Sequence, residues 1–276
     1  MAITAADVNN LRQQTGAGMM DCKNALVESN GDIEMAIDIL RKKGQKVAAK
    51  RGDNDAKEGL IMAQAAADGQ TGVILALNCE TDFVAKNEGY VSFVQSIVDL
   101  ALSQKPSNVD ALKALAYDDK LTLEEKIIEQ IGRLGEKLEL SSYAIIQSEK
   151  VVAYNHPGNQ LATLVGLNNN VEAAAEAGRQ VAMQIAAMNP IAIDKDGVDA
   201  RTIEREIEVG KELAIQEGKT VEMAEKIAMG RLNKFFQENT LLSQPFVRDN
   251  KLTIEQFLNS TESGLTVTEF KRFSLS

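Results

Sequence analysis

The residues in this chain whose side chains could support covalent or metal chemistry are few and scattered. His156 is the only histidine, and it stands beside Pro157 and Gly158 in a predicted hairpin turn. A nucleophile or metal site that depends on histidine would need this one residue, so a turn or contact role is the simpler interpretation. The carboxylates at 204, 206 and 208 fall on predicted exposed helix faces, where solvation accounts for them without acid–base chemistry.

A Gly-Lys-Thr sequence at 218–220 matches the end of a phosphate-binding loop. The glycine that such a loop requires earlier in the chain is replaced by Leu213, and the context is helix to helix instead of strand to helix. We therefore reject a nucleotide site at this position and predict that the protein is not an enzyme and needs no cofactor. A hydrolase that uses Cys79 or His156 is the remaining catalytic alternative.

The most informative stretch is Thr-Asp-Phe-Val-Ala-Lys-Asn at 81–87, which places an aromatic side chain in a polar turn. The apolar run at 73–77 before it predicts a buried strand, and apolar residues after Gly89 recur at helical spacing. Connections of this kind between rigid elements commonly carry function. Phe83 is therefore a candidate probe for another protein, although Phe83 and Val84 could instead tuck under the following helix.

Length and composition predict a soluble, cytoplasmic protein of two or three domains. The chain has 276 residues, of which 44% are hydrophobic and 25% charged. It contains no apolar run near the roughly 20 residues that cross a bilayer, and its first residues lack the pattern of an export signal. Cys22 and Cys79 are interpreted as reduced thiols, with a structural disulfide as the less favoured alternative.

The charge distribution favours a protein partner over a nucleic acid or a membrane. The formal net charge is -10, whereas phosphate contacts require clustered Lys and Arg. Residues 1–52 are slightly basic and the remainder is acidic, with a basic cluster at 41–51. We interpret this cluster as a solvated helix end and linker, where cations also suit the helix dipole.

Residues 1–52 are predicted to form a module of three short helices. Thr4 can cap the first helix, which stops at Gly16. The second begins near Met19, and Asp32 caps a third whose apolar stripe ends near Gly44. A module of this size has little core, so exposed methionines at 19 and 20 are candidates for contact with a partner.

The remainder contains an internal repeat of strands followed by a helix. The sequence VILALN at 73–78 matches TLVGLN at 163–168, and each precedes a predicted helix. Strands are predicted at 60–67 and 73–77, on either side of a hairpin turn at Asp68 and Gly69. In the second copy they are predicted at 143–146, 151–154 and 161–167. The Phe83 loop occurs only in the first copy, which favours a functional role because an architectural residue should recur in both.

Two further helical patterns stand outside the repeated strands. Thr122 and Glu125 form a capping-box pattern ahead of an amphipathic helix that we interpret as packing. Two amphipathic helices at about 198–238, joined at Gly218, predict a projecting antiparallel hairpin of coiled-coil type. The hairpin could be an arm that contacts a partner or a packing element.

Two long segments closely resemble signatures of the bacterial elongation factor Ts family. These are TGAGMMDCKNALVESNGDIEMAIDILRKKG at 15–44 and NCETDFVAKN at 78–87, and the likeness continues through GRLNKFFQENTLLSQPFV at 230–247. The resemblance implies an α+β fold with a ubiquitin-associated-like three-helix domain at 1–52. It further implies core repeats at 53–140 and 141–276, the second carrying the helical hairpin.

The resemblance also implies a function. Members of the family promote GDP release from elongation factor Tu, which they bind in the GDP-loaded and nucleotide-free states. The segment that displaces Mg²⁺ from this partner would be Thr81, Asp82, Phe83 and Val84, with Phe83 as a wedge. Partner contacts would be made by Met19, Met20, Lys23, Leu134, Gly135, His156 and Val247. Leu134, Gly135 and Glu136 match one contact segment of the family, and after it the chain departs from the family pattern at Lys137, Ser141 and Ser142. A helical adaptor without exchange activity is the alternative from another class.

Overall fold

The computed structural model describes residues 3–275, which form a mixture of helices and strands and confirm the α+β class. The α-helices in this range are α1 (Ala5–Thr15), α2 (Met19–Glu28), α3 (Ile33–Arg51), α4 (Asp82–Ala85), α5 (Glu88–Gln104), α6 (Val109–Ala114), α7 (Leu123–Leu134), α8 (Ala174–Met188), α9 (Ala200–Gln216), α10 (Val221–Asn239) and α11 (Ile254–Thr261). The strands are β1 (Glu58–Ala65), β2 (Thr71–Cys79), β3 (Leu138–Gln147), β4 (Lys150–Asn155), β5 (Leu161–Leu167), β6 (Pro245–Phe246), β7 (Asp249–Thr253) and β8 (Val267–Ser274). Short 3₁₀ turns lie at Lys195–Gly197 and Leu241–Ser243.

The strands form two three-stranded sheets, ordered β1-β2-β3 and β4-β5-β8, and a small β6-β7 ribbon. The chain divides into two compact units. Among the described residues, the first contains 3–62, 75–144 and 274–275, and the second contains 63–74 and 145–273. The predicted strand positions around 60–77 and 143–167 are confirmed, as is the turn at Asp68 and Gly69.

The first three helices begin and end where the sequence predicts local capping. Thr4 and Asp7 form a capping box on α1, and Gly16 ends that helix in the left-handed conformation. The Asp32 side chain accepts a hydrogen bond from the Met35 N–H and so caps α3. These helices bury a small core of their own, made of Val8, Leu11, Cys22, Ala25, Leu26 and Ala36.

The third helix does not end with its apolar stripe near Gly44, because α3 continues to Arg51. Gly44 is buried where α3 packs on α7, and a Cβ there would lie 3.1 Å from the Ile128 carbonyl oxygen. Opposite it, a Cβ on Gly132 would lie only 2.7 Å from the Gly44 Cα. Gly44 is therefore a close-packing position within a helix. The basic residues at 41–51 form the end of that helix, as interpreted, and only the interpretation of this cluster as a linker is wrong.

In the first unit, the buried strand β2 leads into α5 through the stretch that contains Phe83. Leu75 and Leu77 are completely buried, and the Tyr90 hydroxyl of α5 donates a hydrogen bond to the Leu77 carbonyl. The predicted capping box of Thr122 and Glu125 is present at the start of α7. The packing interpretation of that helix agrees with its position against α3.

Glu80 joins three segments of the first unit immediately after β2. Its carboxylate accepts hydrogen bonds from the Arg51 guanidinium at 2.8 and 2.9 Å, from the Asn54 amide at 3.0 Å and from the Lys137 N–H at 2.6 Å. Partial burial raises the pKa of Glu80, but these donors outweigh burial and hold its pKa below the ordinary value. The charged carboxylate therefore stabilises the fold.

The second unit packs α8 on β4 and β5. A Cβ on Gly178 would lie 2.6 Å from Val152 Cγ2, so glycine permits the close approach of helix and strand. The core continues into the C-terminal elements through Leu241, Phe246, Ile254, Leu258, Leu265 and Val267. Phe246 stacks on Phe257 with ring centroids 4.4 Å apart.

Helices α9 and α10 pack against each other and are joined by residues 217–220. Gly210 allows their close approach, since a Cβ there would lie 3.2 Å from the Ala228 Cα. Arg231 bonds Glu217 at 2.7 Å across the pair. Thr220 caps α10, so the Gly-Lys-Thr sequence is a helix-to-helix connection as predicted.

Replacing Gly132 by alanine should destabilise the protein, because the new Cβ would overlap Gly44 on α3. We expect a loss of about 1–3 kcal/mol of unfolding free energy, the usual cost of overpacking. The matched control is Gly230→Ala on α10, where an added Cβ would meet nothing within 4 Å. It should gain about 0.5–1 kcal/mol from helix propensity. Urea denaturation followed by circular dichroism measures both, and a Gly132→Ala protein as stable as wild type would contradict the packing argument.

The stabilisation from Glu80 should depend on pH. Because its pKa is lowered in the folded state, the contribution is fully present above the unfolded pKa of about 4.5 and is lost as the pH falls through the folded pKa. Glu80→Gln should therefore cost about 1–3 kcal/mol at pH 7, and less below pH 4.5. Urea unfolding across pH 3–7 tests this, with exposed Glu124→Gln as control. A pH-independent difference would refute the assignment.

Candidate protein-interaction site

Phe83 projects from a single helical turn between two capped elements. The Thr81 hydroxyl accepts a hydrogen bond from the Val84 N–H and caps α4, and the Asn87 side chain then accepts from Gly89 and Tyr90 to cap α5. Phe83 is 83% exposed, so the alternative in which its ring tucks under the following helix is wrong. Val84 is half-buried and anchors the opposite side of the turn. The Phe83 ring is therefore exposed on a turn whose backbone is restrained by the caps of α4 and α5.

Thr81 is held by the carboxylate of Glu136. The Thr81 N–H donates to Glu136 Oε2 at 3.1 Å, and its hydroxyl donates to Oε1 at 2.6 Å. The Thr81 carbonyl accepts from the Ala85 N–H at 3.2 Å and from the Cys79 thiol at 3.2 Å. All the polar groups of the residue before the turn therefore have partners, which fixes the start of α4.

Asp82 is the first residue of α4 and forms an ion pair with Lys86 at 2.7 Å. The hydrogen bond and charge of Lys86 lower the pKa of Asp82, so this carboxylate is ionised at neutral pH. The turn consequently presents an exposed aromatic ring beside a carboxylate. Such a pair can contact an apolar crevice and a charged group on the same partner.

Cys79 lies beneath this turn and is unsuited to catalysis. It is completely buried, and burial raises the pKa of its thiol to about 11. A thiol in that state is protonated at neutral pH, whereas the thiolate is the nucleophile. Cys22 is also buried, and both cysteines are free thiols, as predicted.

Leu134 and Gly135 end α7 immediately before Glu136. Gly135 adopts the left-handed conformation with φ 75°, and its N–H bonds the Ile131 carbonyl. Both residues are half-buried, which leaves part of this helix end accessible. Glu136 therefore connects the end of α7 to the Phe83 turn.

Met19 and Met20 lie in the first turn of α2 and are 62% and 63% exposed. Lys23, one turn later, is also exposed. Their neighbour Asp21 forms an ion pair with Lys43 of α3. Adjacent exposed methionines form an adaptable apolar surface that suits protein contact.

In the second unit, His156 and Val247 line the same groove, whose volume is about 760 Å³. The Tyr154 hydroxyl lies 3.0 Å from His156 Nδ1 at one side. At the other, the Val247 N–H donates to the side-chain oxygen of Gln184 at 2.9 Å. Gln184 is completely buried, so it fixes the backbone of Val247 from inside the unit.

The predicted contact residues therefore fall into separate groups in the fold. Phe83, Leu134 and Gly135 are connected through Glu136, whereas His156 and Val247 share the groove of the second unit. Sequence reasoning missed Glu80 and Gln184, and it placed Glu136 in a contact segment without foreseeing its bonds to Thr81, because the partners of all three lie more than 25 positions away. The only local signal was a carboxylate next to a strand end or to a left-handed glycine.

Within residues 3–275, no group of three or more His, Cys, Asp and Glu side chains could hold a metal ion. None of the helices in the same range is long and apolar enough to cross a membrane.

Comparison with known proteins identifies the relatives of this chain. The sequence model of the family described as Elongation factor TS matches residues 80–276. The elongation factor Ts of Amoebophilus asiaticus (strain 5a2) is 55% identical over 273 residues, covering 99% of this chain and 98% of the relative. That of Cytophaga hutchinsonii is 51% identical over 275 residues, and that of Porphyromonas gingivalis (strain W83) is 48% identical over 276 residues, each covering at least 99% of both chains. With near-complete coverage at this identity, the chain belongs to the elongation factor Ts family.

Proposed function

We propose that this protein is a guanine nucleotide exchange factor that binds elongation factor Tu and promotes GDP release during translation elongation. The observation that carries the proposal is the exposure of Phe83 on a restrained turn in a member of this family. Exposing a large aromatic ring to water is unfavourable in free energy. Buried aromatic side chains are among the residues that contribute most to the stability of protein interfaces. The proposed action is mechanical, so the protein is not itself an enzyme of covalent chemistry.

The proposed step is the displacement of Mg²⁺ from the partner. In GTPases, a phosphate-binding loop and Mg²⁺ hold the diphosphate, so loss of the metal removes much of the affinity for GDP. Thr81, Asp82, Phe83 and Val84 form the segment that acts, with the Phe83 ring inserted between elements of the partner. The restrained turn supports this role because a flexible probe would lose binding energy in becoming ordered.

Additional contacts would hold the two proteins together. Met19, Met20 and Lys23 offer an apolar surface with one positive charge, and Leu134 and Gly135 offer a helix end near the probe. His156 and Val247 line the groove of the second unit, which suits an apolar segment of the partner. The exposure of Met19, Met20, Lys23, His156 and Val247 and the partial exposure of Leu134 and Gly135 support the proposal.

Thermodynamic linkage gives the release step. If the factor weakens GDP binding by some ratio, GDP must weaken factor binding by the same ratio. The factor binds the partner in its GDP-bound and nucleotide-free states. Incoming nucleotide therefore releases the factor from the partner. We place this cycle in the cytoplasm, with neither nucleic acid nor membrane as a direct partner.

We also propose the domain assignment that the family resemblance implies. Residues 1–52 would be a ubiquitin-associated-like domain, which is supported by the separate core of α1, α2 and α3. Residues 53–140 and 141–276 would be duplicated core halves, supported by the sequence β2 to α5 in one and β5 to α8 in the other. The packed pair α9 and α10 would be the helical hairpin of the second half.

Phe83→Ala should leave the fold intact and slow GDP release. The side chain is exposed, so its removal costs the core little, whereas an interface anchor is commonly worth 2 kcal/mol or more, about a thirtyfold change in rate. Stopped-flow release of labelled GDP from elongation factor Tu measures the effect. Ile191→Ala, which removes another exposed apolar side chain, is the matched control and should release GDP at the wild-type rate. GDP release at the wild-type rate with Phe83→Ala would contradict the role assigned to the Phe83 ring.

High Mg²⁺ should oppose the exchange activity if the metal is displaced in the slow step. Raising free Mg²⁺ from micromolar to millimolar should slow factor-promoted release of labelled GDP, because metal rebinding competes with displacement. The Phe83→Ala protein should respond less, since it displaces the metal poorly. Exchange that is insensitive to Mg²⁺ would disprove this step while leaving exchange itself in place. Binding with no acceleration of release would instead support the adaptor alternative.

A further inference from the structure

We infer that Glu136, together with Glu80, is a positioning residue that fixes the Phe83 turn relative to the other candidate contact segments of the first unit. We call this pair of residues and their hydrogen bonds the carboxylate clasp. The inference rests on the proposed exchange function, because a positioning role has meaning only if Phe83 acts on a partner. Neither carboxylate needs to touch that partner.

The clasp is reciprocal. Glu80 precedes Thr81, and its carboxylate accepts the Lys137 N–H at 2.6 Å. Glu136 precedes Lys137, and its carboxylate accepts the Thr81 N–H at 3.1 Å. Each segment therefore supplies both a carboxylate and a backbone donor to the other. Two such crossed bonds resist sliding and rotation in a way that one bond would not.

The bonds are also of the strong kind. A carboxylate that accepts a backbone N–H or a hydroxyl forms a charge-assisted hydrogen bond, roughly twice as strong as a neutral one. The Thr81 hydroxyl donates to Glu136 Oε1 at 2.6 Å while accepting the Val84 N–H. Through this hydroxyl, Glu136 orients the group that caps α4. The direction of the Phe83 side chain is consequently coupled to Glu136.

The clasp extends to both neighbouring contact segments. Glu136 directly follows Leu134 and Gly135, so the end of α7 cannot move without pulling on Thr81. Glu80 accepts hydrogen bonds from Arg51 in the last turn of α3. This helix packs on α2, which carries the exposed methionines 19 and 20. The Lys137 ammonium adds bonds to the carbonyls of Gly52 and Asn54 at 2.9 and 3.1 Å.

This arrangement has a mechanical consequence. The Phe83 ring can push on a partner only if its turn is held in place relative to the segments that bind the same partner. The four-residue helix α4 is too short to be stable alone, because most helical stability comes from tertiary packing. The clasp supplies the missing restraint without covering Phe83.

The first test measures the restraint itself in the full-length protein without a partner. Glu136→Ala should accelerate amide hydrogen exchange in a peptide spanning residues 80–87 by at least about tenfold, because it removes both hydrogen bonds that Thr81 donates to this carboxylate. A peptide from α8 should exchange as in wild type. Glu124→Ala removes the same charge from an exposed position and should change neither peptide. Unaltered exchange at 80–87 in Glu136→Ala would overturn the clasp.

The second test asks whether the restraint matters for exchange activity. At saturating factor, Glu136→Ala should slow labelled GDP release from elongation factor Tu about tenfold, with a smaller change in the half-saturating concentration. Glu136→Gln keeps one acceptor and should give an intermediate rate. The double variant Phe83→Ala/Glu136→Ala should be no slower than Phe83→Ala alone, because Glu136 acts through that ring.

A merely structural role predicts a different result. If Glu136 only maintained the folded population, its loss would slow the Phe83→Ala protein by the same factor as wild type. Multiplied effects, or a wild-type rate for Glu136→Ala beside a slow Phe83→Ala, would overturn the inference and leave the proposed function standing. A wild-type rate for Phe83→Ala would overturn the proposed function, and the positioning role with it.

Discussion

The candidate interaction surface of the first unit depends on the crossed hydrogen bonds of Glu80 and Glu136. Each carboxylate takes a backbone N–H from the segment that carries the other, which joins residues 80–81 to residues 136–137. Buried or half-buried carboxylates are costly unless hydrogen-bonded, and here donors surround them. The lowered pKa of Glu80 expresses the same balance. The display of an exposed ring thus depends on polar contacts beneath it.

The helices around the clasp approach closely. Gly44 and Gly132 let α3 lie against α7 with backbone nearly in contact, and α3 carries Arg51 in its last turn. Close helix packing and the Arg51–Glu80 ion pair therefore both hold α3 within the first unit.

The two units present different kinds of surface. In the first, a single aromatic ring protrudes from a restrained turn, whereas in the second His156 and Val247 border a concave groove supported by buried Gln184. Both place exposed apolar atoms on backbone fixed by side-chain hydrogen bonds. Preorganisation of this kind lowers the entropic cost of association, and it suits a family whose members bind another protein.

Local patterns in the sequence determined the helix caps at Thr4, Asp32 and Thr122, the positions of β1 to β5 and the placement of an aromatic residue in the connection after β2, whereas the exposure of that residue was decided by the folded structure. These features depend on neighbours within about four residues, which is the range over which capping and periodicity act. The tertiary structure alone decided that α3 continues through Gly44 and that Glu80 and Glu136 restrain the Phe83 turn. Those outcomes depend on donors and packing surfaces more than 50 positions away, and only the folded path of the chain brings them together.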